Sequence, residues 1–142
     1  MNALAEVARA ADPELRGHAV SAPRGARYDD AGPDAGFVLE AVREGYLMHY
    51  GEPRAFTAAL EEDTRLLAGD ALYAMGLARL AQRGDLASIA ELADLISGCA
   101  RAHVENRPEL AEELWEASSG RLSGRDGPSA ADVVDDRLAH RR

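Results

Sequence analysis

The chain has 142 residues, with 29 alanines, 16 arginines, no lysine and a formal net charge of -9, a length that suits one domain around one core. Aromatics make up 5% of it and β-branched residues are few, which leaves too little strand-forming material for an all-β fold. The acidic balance disfavours a general binder of nucleic-acid backbone, the single cysteine excludes an internal disulfide framework, and no apolar run nears the ~18 residues of a membrane span.

The opening MNALAEVARA is helix-forming, and Asp12-Pro13-Glu14 can restart a short turn with proline at its first position. Residues 17–36 are punctuated by Gly17, Pro23, Gly25, Gly32, Pro33 and Gly36 and read as a loop or extended arm. A first core helix is expected at about 37–50, with Val38, Ala41, Val42, Gly45, Met48 and His49 toward one side. Gly51 stops it, and Pro53 suits the first turn of the next helix. Residues 53–83 form the longest periodic stretch, as one helix or as 53–60 followed by 61–83. On a 3.6-residue wheel Leu66, Asp70, Tyr73, Ala74, Leu77, Leu80 and Ala81 share a face.

Gly84 and Asp85 read as a helix stop followed by an N-cap. Across 86–105, Ile89, Leu92, Ile96, Cys99 and His103 fall on one stripe, and Glu91 lies on the reverse. Pro108 opens a helix over 108–119 whose Leu110, Ala111, Leu114, Trp115 and Ser118 face inward. After Gly120, Gly124, Gly127 and Pro128, the run Ser129-Ala-Ala-Asp132 resembles a capping box opening a short helix to about His140. The expected fold is all-α, an antiparallel bundle of about five to six helices. It comprises an N-terminal arm over 1–36, a helical core over 37–119, and a C-terminal linker and short helix over 120–142.

Constellations that would carry chemistry are sparse. Leu15, Tyr46, Ala100 and Arg137 stand three residues before the four histidines, so the Glu-x-x-His motif of carboxylate-bridged di-iron bundles is absent. Cys99 and His103 are one turn apart, but a closed zinc site needs two more ligands. A thiol on an apolar stripe has its pKa raised, the wrong direction for a nucleophile. With no lysine, phosphate loops of the Walker type are missing. No catalytic residue, metal or cofactor is expected.

Asp70 stands out, since a carboxylate between Leu66 and Leu77 on an apolar face requires a partner; Tyr73, Arg43 and Arg101 are the candidates. Gly69 and Gly76 each weaken a helix by roughly 1 kcal/mol relative to alanine, so their place on one strip implies close helix packing or, more rarely, a ligand groove.

The run Leu66-Leu67-Ala68-Gly69-Asp70-Ala71-Leu72-Tyr73-Ala74 resembles the Gly-Asp helix of trans-isoprenyl diphosphate synthases, which are all-α enzymes. The resemblance implies a binding place for a hydrophobic or prenyl ligand beside Gly69, Asp70, Tyr73 and Gly76. That family also holds magnesium and diphosphate through two Asp-rich motifs. Here Asp29-Asp30-Ala-Gly-Pro33-Asp34 misses the Asp-Asp-x-x-Asp spacing by one, and Asp132-Val-Val-Asp135-Asp136 has the order reversed. The expected function is therefore a non-catalytic helical interaction protein, paired with itself or another chain as an oligomer or accessory subunit. The alternative is an isoprenoid-synthase-like binder or a partial enzyme subunit that needs a catalytic partner. The first 20 residues lack an apolar signal core, so cytoplasmic residence is expected. Arms that serve a partner would leave Val20, Tyr28, Val133 and Val134 exposed.

Overall fold

The computed structural model describes residues 2–138, so the expected end of the last helix near His140 lies outside the described residues. The protein is all-α: α1 (Ala3–Ala10), α2 (Pro13–Arg16), α3 (Pro33–Tyr50), α4 (Glu62–Gln82), α5 (Leu86–Val104), α6 (Pro108–Leu122) and α7 (Ala130–Arg137), with a 3-10 turn at Asp29–Ala31. Two compact units, Met1–Gln82 and Arg83–Arg142, divide the chain. Among the described residues no helix is long and apolar enough to cross a membrane.

In the first unit α3 is the central element, buried at Gly36 to Tyr46 and again at Met48. It begins at Pro33, earlier than expected, because proline fits the first helical position, where no N–H is required. Helix α1 packs on it through Leu4 and Val7, and α4 runs antiparallel along another side, with Gly45 near Gly69 and Val42 near Gly76. Tyr28, from the expected arm, is buried, and Val20 is exposed.

Two carboxylates on α3, Glu40 and Glu44, have no exposed surface at all. Each is surrounded by donors. Glu40 accepts the backbone N–H of Arg27 at 2.6 Å and of Tyr28 at 3.0 Å, and the Arg54 guanidinium at 2.7 Å. Glu44 accepts the N–H of Arg54 at 2.8 Å, the N–H of Ala55 at 2.7 Å and Arg54 Nε at 3.1 Å. Arg54 also donates to the Gly25 carbonyl at 2.9 Å. This cluster overturns the expected helix at 53–60. The N–H groups of Arg54 and Ala55 are taken by Glu44, and Phe56 makes an isolated antiparallel bridge with Ala19, so the backbone there is committed outside a helix until α4 opens at Glu62.

The buried face of α4 is also rotated from the expected one. Ala68, Gly69, Leu72, Gly76 and Leu80 are buried, whereas Leu66, Asp70 and Ala74 are exposed. Glycines set the contact because they let the α3 backbone approach, which outweighs the larger apolar volume of the leucines.

In the second unit the stops and caps stand where the sequence places them. Gly84 has φ +70°, Asp85 caps α5 through the Ser88 N–H at 3.1 Å, and Ser129 with Asp132 forms a reciprocal capping box on α7. Helix α6 runs on through Gly120 to Leu122. Leu110, Ala111, Leu114, Trp115 and Ser118 face inward, against Leu92, Leu95, Gly98, Cys99 and Ala102 of α5. Glu91 is not on a wet reverse face; it accepts the Ser118 hydroxyl at 2.7 Å and the Ala130 N–H at 2.8 Å, tying α5 to α6 and to the start of α7. Val133 is buried and Val134 half-buried.

Two stability predictions follow from these contacts. Arg54→Met strands two buried carboxylates, and breaking such a pair on one side removes about 3–5 kcal/mol, to be read as a lowered urea midpoint. In the second unit, burial holds the His103 imidazole below its usual 6.5, while Glu112 opposes this weakly. A folded state that binds the proton less tightly than the unfolded one loses stability as pH falls through and below 6.5. Melting temperature is therefore expected to drop between about pH 7 and 5, with His103→Gln removing that part of the slope. The low-lying carboxyls of Asp85 and Asp132, held down by Ser88 and Ser129, lose their contribution only at more acid pH.

Candidate functional site

Three of the four residues singled out on α4 surround one histidine of α3. His49 Nε2 lies 3.1 Å from Asp70 Oδ1, and the Tyr73 ring stacks on the imidazole at 5.4 Å and 21°. Gly69 sits directly beneath the ring: a Cβ there would be 2.7 Å from His49 Nε2 and 3.0 Å from the Gly45 carbonyl oxygen. Gly76 lies two turns further along, where a Cβ would meet Val42 Cγ2 at 2.8 Å and the Val38 carbonyl at 3.2 Å. The space beside both glycines is thus occupied by α3, and close helix packing accounts for them.

Asp70 differs from its expected setting. Its side chain is 71% exposed, so it is no buried charge, and its partner is His49 rather than Tyr73, Arg43 or Arg101. Arg101 instead reaches Glu105 at 3.0 Å and the Leu138 carbonyl at 3.1 Å. The imidazole is mostly buried, at 17% exposed, and the aromatic neighbourhood continues through Tyr50, 5.9 Å from His49 and 5.2 Å from Tyr46. A cleft of about 450 Å³ adjoins His49, lined in part by Tyr50, Leu60, Arg65 and Leu66. Arg65 is engaged there: its guanidinium donates to the Leu47 and Gly51 carbonyls, closing the C-terminal end of α3.

An imidazole that donates Nε2–H to a carboxylate keeps Nδ1 as an acceptor, the arrangement of an oriented base. Among the described residues no hydroxyl or thiol is hydrogen-bonded to His49, so the pair has no nucleophile to activate. Cys99 is buried, with its thiol 3.8 Å from the Ala111 carbonyl. Among the described residues no group of three or more His, Cys, Asp or Glu is placed to hold a metal ion. No protein-family model, curated protein or solved structure matches the chain.

Sequence reasoning passed over His49 as a site residue, although its signal was present: a histidine on the predicted inward side of the first core helix. It also passed over Glu40 and Glu44. Their signal was the run Phe37-Val-Leu-Glu-Ala-Val-Arg-Glu-Gly-Tyr-Leu-Met48, an otherwise mostly apolar stretch that carries two acids one turn apart.

Gly69→Ala tests the packing directly. Alanine favours a helix over glycine by about 1 kcal/mol, yet here the clash reverses the sign, with an expected destabilisation of about 1–3 kcal/mol. In a double-mutant cycle His49→Ala recovers part of that loss by removing the ring, whereas a loss unrelated to the contact would add independently.

Proposed function

We propose that the protein is a helical interaction protein, working as an oligomer or accessory subunit, with α4 and α5 as its contact surfaces. The observation that carries this reading is a row of exposed, mostly small apolar residues on each helix at alternating spacings of four and three. On α4 the row is Leu67, Ala71, Ala74, Ala78 and Ala81. On α5 it is Leu86, Ala90, Ala93, Ser97, Ala100 and Val104, all exposed except half-buried Ala100. Leu67, Leu86 and Val104 are 71%, 73% and 86% exposed, and contiguous apolar surface of this kind is characteristic of interaction sites. The spacing is that of a coiled-coil seam, and small side chains let a second helix approach closely, near the 8 Å end of the usual range.

A second copy of the chain is the favoured partner. Antiparallel pairing of α4 with itself about a twofold axis at Ala74 matches Ala71 to Ala78 and sets Leu67 against Ala81. It also brings the acidic first turn, Glu62 and Asp63, toward the end that carries Arg79. Support for the alternative, a binder of a hydrophobic molecule, comes from a cleft of about 370 Å³ of mixed polarity, lined by Ala11, Asp12, Leu15, Ala71, Leu72 and Met75.

Sedimentation equilibrium separates these. Self-association is expected at about 100 μM chain, weakened at least tenfold by Leu67→Glu with Ala74→Glu. A monomer at that concentration removes the oligomer reading. Co-purified lipid detected by native mass spectrometry, lost on Met75→Glu, would promote the hydrophobic-ligand reading.

A further inference from the structure

Arginines in the first unit fall into two groups. Arg54, Arg65 and Arg79 are engaged by carboxylates, carbonyls or the Phe37 ring, and Arg27 and Arg43 lie over tyrosine rings. The side chains of Arg9, Arg16 and Arg24 form no hydrogen bond or ion pair among the described residues. This is unexpected in a chain with 25 acids for 16 arginines, where a carboxylate partner is statistically easy to place. A cation in the last turn of a helix is favoured by the helix dipole, and Arg9 and Arg16 end α1 and α2. The dipole does not explain why both line the same cleft.

That cleft, of about 340 Å³, has an apolar wall that includes Ala5, Ala8, Val20 and Pro23, and Ser21 also lines it. The Ser21 hydroxyl makes no hydrogen bond among the described residues. Two guanidinium groups, one hydroxyl and an apolar surface form a site whose volume sits at the lower end of the small-molecule range. The geometry points to a binding site for a small organic oxyanion, a carboxylate or phosphate monoester carrying a short aliphatic part. Guanidinium groups pair with such oxyanions through parallel N–H···O bonds, and the alanine-lined wall takes the aliphatic carbons out of water. The cleft is formed by α1, α2 and residues 19–23, and no residue of the exposed α4 row lines it.

The test uses the full chain, titrated with hexanoate, hexyl phosphate and hexylamine and followed by ¹H–¹⁵N NMR of the backbone amides. Hexanoate or hexyl phosphate is expected to bind with Kd under about 1 mM, to shift the amides of Ala19, Val20 and Ser21, and to weaken with added salt. Whichever anion binds more tightly assigns the site to carboxylates or to phosphate esters. Arg9→Gln with Arg16→Gln is expected to weaken binding at least tenfold. Both side chains are exposed, so an unchanged amide spectrum elsewhere confirms that the fold is kept. Arg125→Gln, in the second unit, is expected to bind as the parent does. Absence of anion binding at about 10 mM, undiminished binding by the double variant, or equal binding of hexylamine would overturn the proposal.

Discussion

One guanidinium between two fully buried carboxylates determines how the first unit is put together. Glu40 and Glu44 are one turn apart on α3, and Arg54 reaches both. Taking three ionised groups out of water is expensive, and their mutual attraction offsets that only when every remaining lone pair is satisfied. Here the remaining donors are backbone N–H groups: those of Arg27 and Tyr28 from one loop, and those of Arg54 and Ala55 from another. The two loops are therefore fixed to the central helix by the requirement that the charges be solvated by protein. The isolated Ala19–Phe56 bridge is consistent with this, since its two residues lie in these same loops.

Fixing residues 53–56 in this way decides where α4 begins and how it meets α3. With its start placed at Glu62, α4 returns antiparallel along α3, and the two backbones touch where side chains are smallest. Gly45 and Gly69 face each other, and Gly76 meets Val42. The imidazole of His49 fills the room that Gly69 leaves and carries its hydrogen bond outward to Asp70. Burying this glycine strip turns the other side of α4 to solvent. That side carries a row of alanines together with the exposed Leu66 and Leu67.

The second unit reaches order by simpler means. A short turn joins α5 and α6, capped helix starts at Asp85 and Ser129 define its boundaries, and Glu91 satisfies a hydroxyl and a helix-start N–H together. Glu91 is half-buried and bound by neutral donors, which contrasts with the ion triad of the first unit.

Features governed by neighbouring residues were legible in the sequence. The all-α class, the stop at Gly84, the cap at Asp85, the proline start at Pro108, the capping box at Ser129 and the inward face of α6 each depend on residues within a turn or two, which local propensity captures. Gly69 and Gly76 also announced a close helix approach, because glycine in a helix interior needs a packing reason. Other features were decided only by tertiary structure. Pro53 reads as a helix start, but a carboxylate ten residues upstream in sequence captures the backbone beside it. The wheel for α4 favours leucine and tyrosine as the inner face, but the face is chosen by how near α3 can come. Asp70 reads as buried because its neighbours are apolar, but the rotation of α4 carries it to the surface and into contact with His49. Apolar periodicity records which side of a helix could be buried. Which side is buried depends on the shape of the helix it meets, and that information is not local to any segment of the chain.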